Sequence, residues 1–113
     1  MKMVIAVVRP EAVEDVKQAL FDAEVCKMTV SHVKGCGQQM GYTESYRGTI
    51  VNVNLLNKVR FEIVVNDDFV QPTIEAIMKA ARTSRIGDGK IFVLPVEQVY
   101  RIRTGEEGNG AVG

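Results

Sequence analysis

A chain of 113 residues with 14 basic and 14 acidic side chains carries no net charge, and its 46% hydrophobic, 25% charged composition is that of one ordinary folded domain. The balance excludes the broad positive field that draws a protein onto nucleic acid or an anionic bilayer, and the length leaves no room for a second domain. A domain this short buries only about two-thirds of its unfolded surface, so association into an oligomer is expected. No stretch approaches the roughly 18 apolar residues that span a bilayer. The opening MKMVIAVV meets Arg9-Pro10 too early for a secretory signal, so a cytoplasmic protein is expected. Cys26 and Cys36 lack both the close C-x-x-C spacing of a zinc or redox site and the density of a disulfide scaffold, and read as reduced thiols.

The apolar run Met3 to Val8 predicts a strand. Arg9-Pro10-Glu11 then opens a segment whose Val13, Val16, Leu20 and Ala23 fall at helical spacing. The same grammar returns after Lys58: Val59 to Val65 as a strand, Asn66-Asp67-Asp68 as N-cap residues, and Val70, Ile74, Ile77 and Ala81 as an apolar stripe. Pro72 is expected to lie near enough to the helix start to be tolerated. An offset of 57 residues lays Val8 on Val65, Val13 on Val70, Ala19 on Ala76, Leu20 on Ile77 and Ala23 on Ala80, a weak internal β-α repeat. Each unit is followed by a further strand, Thr29 to Lys34 and Lys90 to Val96. The order βαββαβ predicts an α+β, ferredoxin-like sandwich with helices on one sheet face. The other face must then be wetted, hold a ligand or meet another subunit, and strands that are apolar at nearly every position favour the last.

Between the halves, Gly35 to Asn57 is too long for an ordinary connection and reads as functional or disordered. The tail Thr104 to Gly113, with four glycines and two glutamates, lacks a hydrophobic face and is expected to be mobile unless a ligand or partner holds it.

The strongest local signal is Thr83-Ser84-Arg85-Ile86-Gly87-Asp88-Gly89-Lys90. Two glycines around one aspartate let backbone amides turn toward an anion, and Lys90 adds charge at the mouth of the next strand. The plainer reading is a D-G turn between helix and strand. Arg101 and Arg103, two apart, would share one face of an extended segment and with Lys90 could converge on a polyphosphate; alternatively they mark a solvated edge paired with Glu106 and Glu107. Gly35-Cys36-Gly37-Gln38-Gln39-Met40-Gly41 permits close approach to a ligand but matches no established phosphate loop. Lys58 and Glu62 read either as an alternating polar face or as groups that receive a carboxylate ligand and a polar base. His32, the lone histidine, is assigned no role. No Ser-His-Asp set, zinc-ligand set or acid-base carboxylate pair is present, so the sequence holds no positive evidence for catalysis.

From MKMVIAVVRPE through VKGCGQQMGYTESYRG to TSRIGDGKIFVLPVEQVYRIRTGEE, the order of motifs resembles the PII family of nitrogen-signalling proteins over essentially the whole chain. Thr83 to Val96 fits that family's C-terminal signature and Tyr46-Arg47-Gly48 the core of its loop motif. The resemblance implies one domain over 1–113, assembled as a compact homotrimer with nucleotide clefts between subunits. A protruding T-loop spans 37–55, and a flexible C-terminal segment spans 104–113. It implies ATP or ADP near Gly35, Gly37, Gln38, Gly87, Asp88, Gly89, Lys90, Arg101 and Arg103, with Thr29, Glu62 and Val64 near the adenine. It implies 2-oxoglutarate at Lys58 with Gly37, Gln39, Met40 and Gly41. Mg²⁺ would be held by Gln39, the ATP phosphates and the 2-oxo acid, an oxygen-rich shell of the kind Mg²⁺ prefers. Tyr46, Arg47 and Gly48 are implied as the partner contact, with Arg47 entering the cytoplasmic pore of an ammonium transporter. The protein would thus be recruited peripherally to a membrane.

Four positions depart from the family pattern. Val51 stands where the bacterial uridylylation motif ends in tyrosine, which rules out that modification there. Thr49 replaces a common Ala or Ser and retains a hydroxyl for phosphorylation. Gln38 replaces a common arginine beside the phosphates, and Asn57 replaces a common proline before Lys58. The alternative reading is a small ferredoxin-like enzyme acting on phosphate compounds, for which only Asp88 and Glu62 are candidate bases. An RNA-recognition module would need more stacking aromatics than Phe61 and Phe92, and a basic sheet face.

Overall fold

The computed structural model describes residues 1–36, 42–46, 49–53 and 55–113, with the backbone alone for 42–46 and 49–53. Strand β1 (Lys2–Val8) leads through a 3-10 turn at Pro10–Ala12 into helix α1 (Val13–Asp22), followed by β2 (Thr29–Gly35). The strands β3 (Tyr42–Tyr46) and β4 (Thr49–Val53) precede β5 (Leu56–Val65), α2 (Asp67–Ala81), β6 (Lys90–Pro95) and a short α3 (Asn109–Val112). The main sheet has the order β2-β5-β1-β6 with every neighbouring pair antiparallel. This is the ferredoxin-like arrangement expected from the sequence.

The period-two alternation of β1 and β5 divides their side chains between two faces. Val4, Ala6 and Val8 of β1 and Val59, Phe61, Ile63 and Val65 of β5 turn inward, where Val16 and Leu20 of α1 and Ile77 of α2 complete one core. The repeat is visible in the packing, because the offset partners Leu20 and Ile77 are both buried in that core. The opposite face, uncovered by helices, carries Met3, Ile5 and Val7 of β1 beside Lys58, Arg60, Glu62 and Val64 of β5. Phe92 and Leu94 of β6 stand 50% and 43% exposed there.

Several boundaries differ from the sequence reading. Strand β5 begins at Leu56 because Gly35 of β2 pairs with it, so the sheet extends beyond the apolar run. The long stretch between Gly35 and Asn57 contains an antiparallel pair, in which Tyr42 faces Val53 and Tyr46 faces Thr49. Pro72 lies in the sixth position of α2, beyond the first turn that tolerates proline freely. Thr73 beside it is fully buried and donates its hydroxyl to the Phe69 carbonyl at 2.6 Å. Arg101 to Arg103 are not extended: Gly105 N–H donates to Arg101 O at 2.7 Å, closing a turn. The tail carries α3, with Asn66 donating to the Asn109 carbonyl at 3.2 Å.

Helix α1 stops in a Schellman closure: Val25 N–H donates to Leu20 O at 2.8 Å and Glu24 N–H to Phe21 O at 3.0 Å. Glu24 holds the left-handed position at φ 63°, a conformation that costs an L-residue about 1–2 kcal/mol. Glu24→Gly is expected to raise stability by roughly 0.5–1 kcal/mol after the extra chain entropy of glycine is counted, measured by chemical denaturation against Glu24→Ala.

Candidate functional site

The connection from α2 to β6 is organised by Asp88. Its Oδ2 accepts from Thr83 N–H at 2.7 Å and Ser84 N–H at 2.9 Å, while its Oδ1 accepts from the Thr83 hydroxyl. The Thr83 hydroxyl and amide, more than any other group, hold this carboxyl below its ordinary value near 3.8, and Arg9 adds to the effect. Arg9, one residue past β1, donates through Nε to Gly87 O at 3.1 Å and through Nη2 to Ile86 O, with Nε 3.7 Å from Asp88 Oδ1. Gly87 and Gly89 adopt φ 99° and 107°, and Ser84 takes φ 67°. Glycine at 89 is also required by space: a Cβ there would lie 1.9 Å from the Val7 carbonyl oxygen.

This loop forms one wall of a groove of about 630 Å³ at the Val7 end of the open sheet face. Gly35, Lys58, Gly87, Asp88, Gly89 and Lys90 line it together. Lys58 donates through Nζ to Gly87 O at 3.3 Å, and a Cβ at Gly35 would sit 3.5 Å from Lys58 Cγ. Lys90, exposed, makes no ion pair among the described residues. Gly37, Gln38, Gln39, Met40, Gly41, Arg47 and Gly48 lie outside the described residues, and Tyr46, Thr49 and Val51 are described as strand backbone only.

Thr29, Glu62 and Val64 belong to a different groove, about 350 Å³, whose far wall is Ala111 and Val112 of the tail. Thr29 and Glu62 face one another across β2 and β5. Glu62 Oε1 is 3.2 Å from Arg60 Nε, an ion pair by distance but not aligned as a hydrogen bond. Four residues of strand, about 13 Å, separate Glu62 from Lys58.

Arg101 is tied to the tail that walls this second groove. It pairs with Glu106 Oε1 at 3.0 Å and donates to the carbonyls of Gly110 at 3.3 Å and Gly113 at 2.7 Å. Lys27 donates to the same Gly113 carbonyl. Arg103 is exposed. The convergence of Lys90, Arg101 and Arg103 expected from spacing therefore does not occur within one chain, because the turn at 102–104 and the tail direct Arg101 elsewhere. The Glu106 partnership weighed for these arginines is present at Arg101.

Residues 1–106 match the family model described as Nitrogen regulatory protein P-II. The chain belongs to the P-II family of nitrogen regulatory proteins. It is 53% identical over 112 residues to Nitrogen regulatory protein P-II 2 of Methanothermobacter thermautotrophicus, covering 99% of this chain and 97% of the other. It is 50% identical to Nitrogen regulatory protein P-II of Azospirillum brasilense, over 99% of this chain and 100% of that one. To Nitrogen regulatory protein GlnK1 of Methanosarcina mazei it is 53% identical, over 99% and 97% respectively. P-II proteins are signalling proteins, not enzymes, which sets aside the reading of a small enzyme acting on phosphate compounds. The site chemistry agrees: a carboxylate kept charged by several donors, as Asp88 is, makes a weak general base.

Sequence reasoning missed Arg9, Thr83 and Ser84 as loop-builders. The available signals were the cation directly after β1 and the hydroxyls preceding a D-G pair, which favour turns that close through side chains.

Two outcomes follow from this geometry. Gly89→Ala is expected to lose about 2 kcal/mol or more in denaturant titration, since both the Val7 contact and the positive φ oppose a side chain. Asp88 has a folded pKa below its unfolded one, so its contribution is complete above the ordinary value near 3.8 and is lost as pH falls through the depressed folded value. An NMR titration should show the Thr83 and Ser84 amides shifting only below that ordinary value, and a transition above it would contradict the assignment.

Proposed function

We propose that this chain is a nitrogen- and energy-status sensor. It assembles as a homotrimer, binds ATP or ADP, binds 2-oxoglutarate together with Mg-ATP, and acts through its T-loop on an ammonium transporter or a nitrogen-metabolism enzyme. The carrying observation is the groove where Lys58, Lys90 and a glycine-bracketed loop come together, a cationic concavity fitted to phosphates. Gly35 and Gly87 to Lys90 hold the phosphates and ribose, and Lys58 receives the 2-oxo acid, with Gly37, Gln38, Gln39, Met40 and Gly41 as the remaining ligand contacts. Gln39 supplies the protein oxygen to Mg²⁺.

Thr29, Glu62 and Val64 form the adenine contacts, with Arg101 and Arg103 reaching phosphate. Since Thr29, Glu62 and Val64 line a separate groove in one chain, the site is built where one copy's loop groove meets another copy's base groove. The exposed Phe92 and Leu94 beside Met3 and Ile5 give the open sheet face the apolar surface such an assembly would cover. Among the described residues no helix is long and apolar enough to cross a membrane. A cytoplasmic protein recruited to a transporter through Tyr46, Arg47 and Gly48 accords with that. Thr49 retains a hydroxyl at the position where the family commonly has Ala or Ser, and Val51 carries none.

Signalling follows from differential affinity. A ligand moves the T-loop only as far as it binds one loop state better than the other, so Mg-ATP with 2-oxoglutarate and ADP act oppositely if they select different states.

Titration calorimetry should show 2-oxoglutarate binding only in the presence of Mg-ATP, and Lys58→Ala should weaken it at least about tenfold. Nucleotide binding without any 2-oxoglutarate response would reduce the protein to an adenylate sensor, and sedimentation as a monomer at micromolar concentration would refute the shared site. Arg101 must leave Glu106 to reach a phosphate. Glu106→Gln is therefore expected to tighten Mg-ATP binding by roughly two- to fivefold, read by the same titration.

A further inference from the structure

The loop that walls the phosphate groove is held from behind by a residue outside that groove. Arg9 is not among the residues lining it, yet its guanidinium takes the carbonyl oxygens of two consecutive residues, Ile86 and Gly87. No cis peptide occurs in the described chain, and in a planar trans peptide the N–H points opposite to the preceding C=O. Turning the Ile86 and Gly87 carbonyls onto Arg9 therefore turns the Gly87 and Asp88 N–H groups away from it. Those two amides, with that of Gly89, make no backbone hydrogen bond among the described residues. Adjacent unpaired donors on a loop braced by a cation form the kind of concavity that takes an anion.

We propose that Arg9 is the positioning residue of the phosphate loop: it fixes the Ile86 and Gly87 peptide planes so that the amides of Gly87 and Asp88 are presented to a nucleotide phosphate. The inference rests on the nucleotide reading for its ligand but not for its geometry. A fork is required, because one guanidinium spans both carbonyls and also lies beside Asp88, whereas a lysine ammonium offers a single point.

The test compares wild type, Arg9→Gln and Arg9→Lys in the full chain. Mg-ATP, ADP and adenosine are titrated calorimetrically, and amide ¹⁵N–¹H spectra are recorded without ligand. Arg9→Gln is expected to weaken Mg-ATP and ADP by about tenfold or more while leaving adenosine within about twofold, since only phosphate contacts depend on the loop. Arg9→Lys keeps the charge and should recover less than half of that loss on a logarithmic scale. The Gly87 and Asp88 amide signals should move in both ligand-free variants while signals from α1 stay in place. Equal Mg-ATP affinity in wild type and Arg9→Gln overturns the proposal, as does full recovery by Arg9→Lys, which would assign the effect to charge alone. If wild type binds no nucleotide, the proposed function fails, and the ligand-free spectra still decide Arg9: unmoved Gly87 and Asp88 amides overturn its role. A variant too unstable to give a folded α1 spectrum makes Arg9 a residue of global stability, which also overturns it.

Discussion

The contact on which the site depends is the passage of Gly89 against the carbonyl of Val7. With room there for a hydrogen but not for a methyl group, the chain enters β6 directly over the end of β1, one of the two inner strands of the sheet. Among the described residues β6 pairs with β1 alone, so this crossing is one of the ties that set the preceding loop relative to the core, beside the bonds of Arg9 and Lys58 to its carbonyls. Arg9 extends from the same strand end and secures the Ile86 and Gly87 carbonyls of the loop, so strand, crossing and clamp share one origin. Packing of the interior thereby sets the placement of polar groups at the surface, a transfer that a close-packed core makes rigid.

The second organising feature is the division of the open face. Its polar side chains Lys58, Arg60 and Glu62 share one face of β5, and the rise of the strand between them, about 13 Å from Lys58 to Glu62, carries cation and carboxylate to different grooves. The apolar strips on β1 and β6 run beside them. A single chain carries the Lys58–Lys90 groove and the Thr29–Glu62–Val64 groove apart from one another on its open face, which gives the proposed assembly a chemical as well as a hydrophobic reason.

Much of this was legible in the sequence because it depends on local periodicity. The two β-α units could be read from apolar spacing and from the offset that pairs Leu20 with Ile77, and the glycines around Asp88 announced a turn with an anion-binding option. What escaped depended on long-range geometry. Arg9 and Gly87 are 78 positions apart, and nothing in local pattern links them. The spacing of Arg101 and Arg103 suggested one face of an extended strand, but the turn closed by Gly105 and the hydrogen bonds to the tail override that period. The tail itself looked featureless because its contacts are with Arg101, Lys27 and Asn66, residues contributed by other parts of the chain.

The pairing of Gly35 with Leu56 marks where the sheet ends and the inserted segment begins. Both ends of that segment are anchored by the same rung, so its length and sequence can change without altering the register of β2 on β5 or the contents of the core. The fold thus offers a replaceable cassette mounted on a fixed socket. Changes in that segment would cost folding little, while Lys58, two residues beyond the rung, stays at the junction beside the loop that carries Gly87.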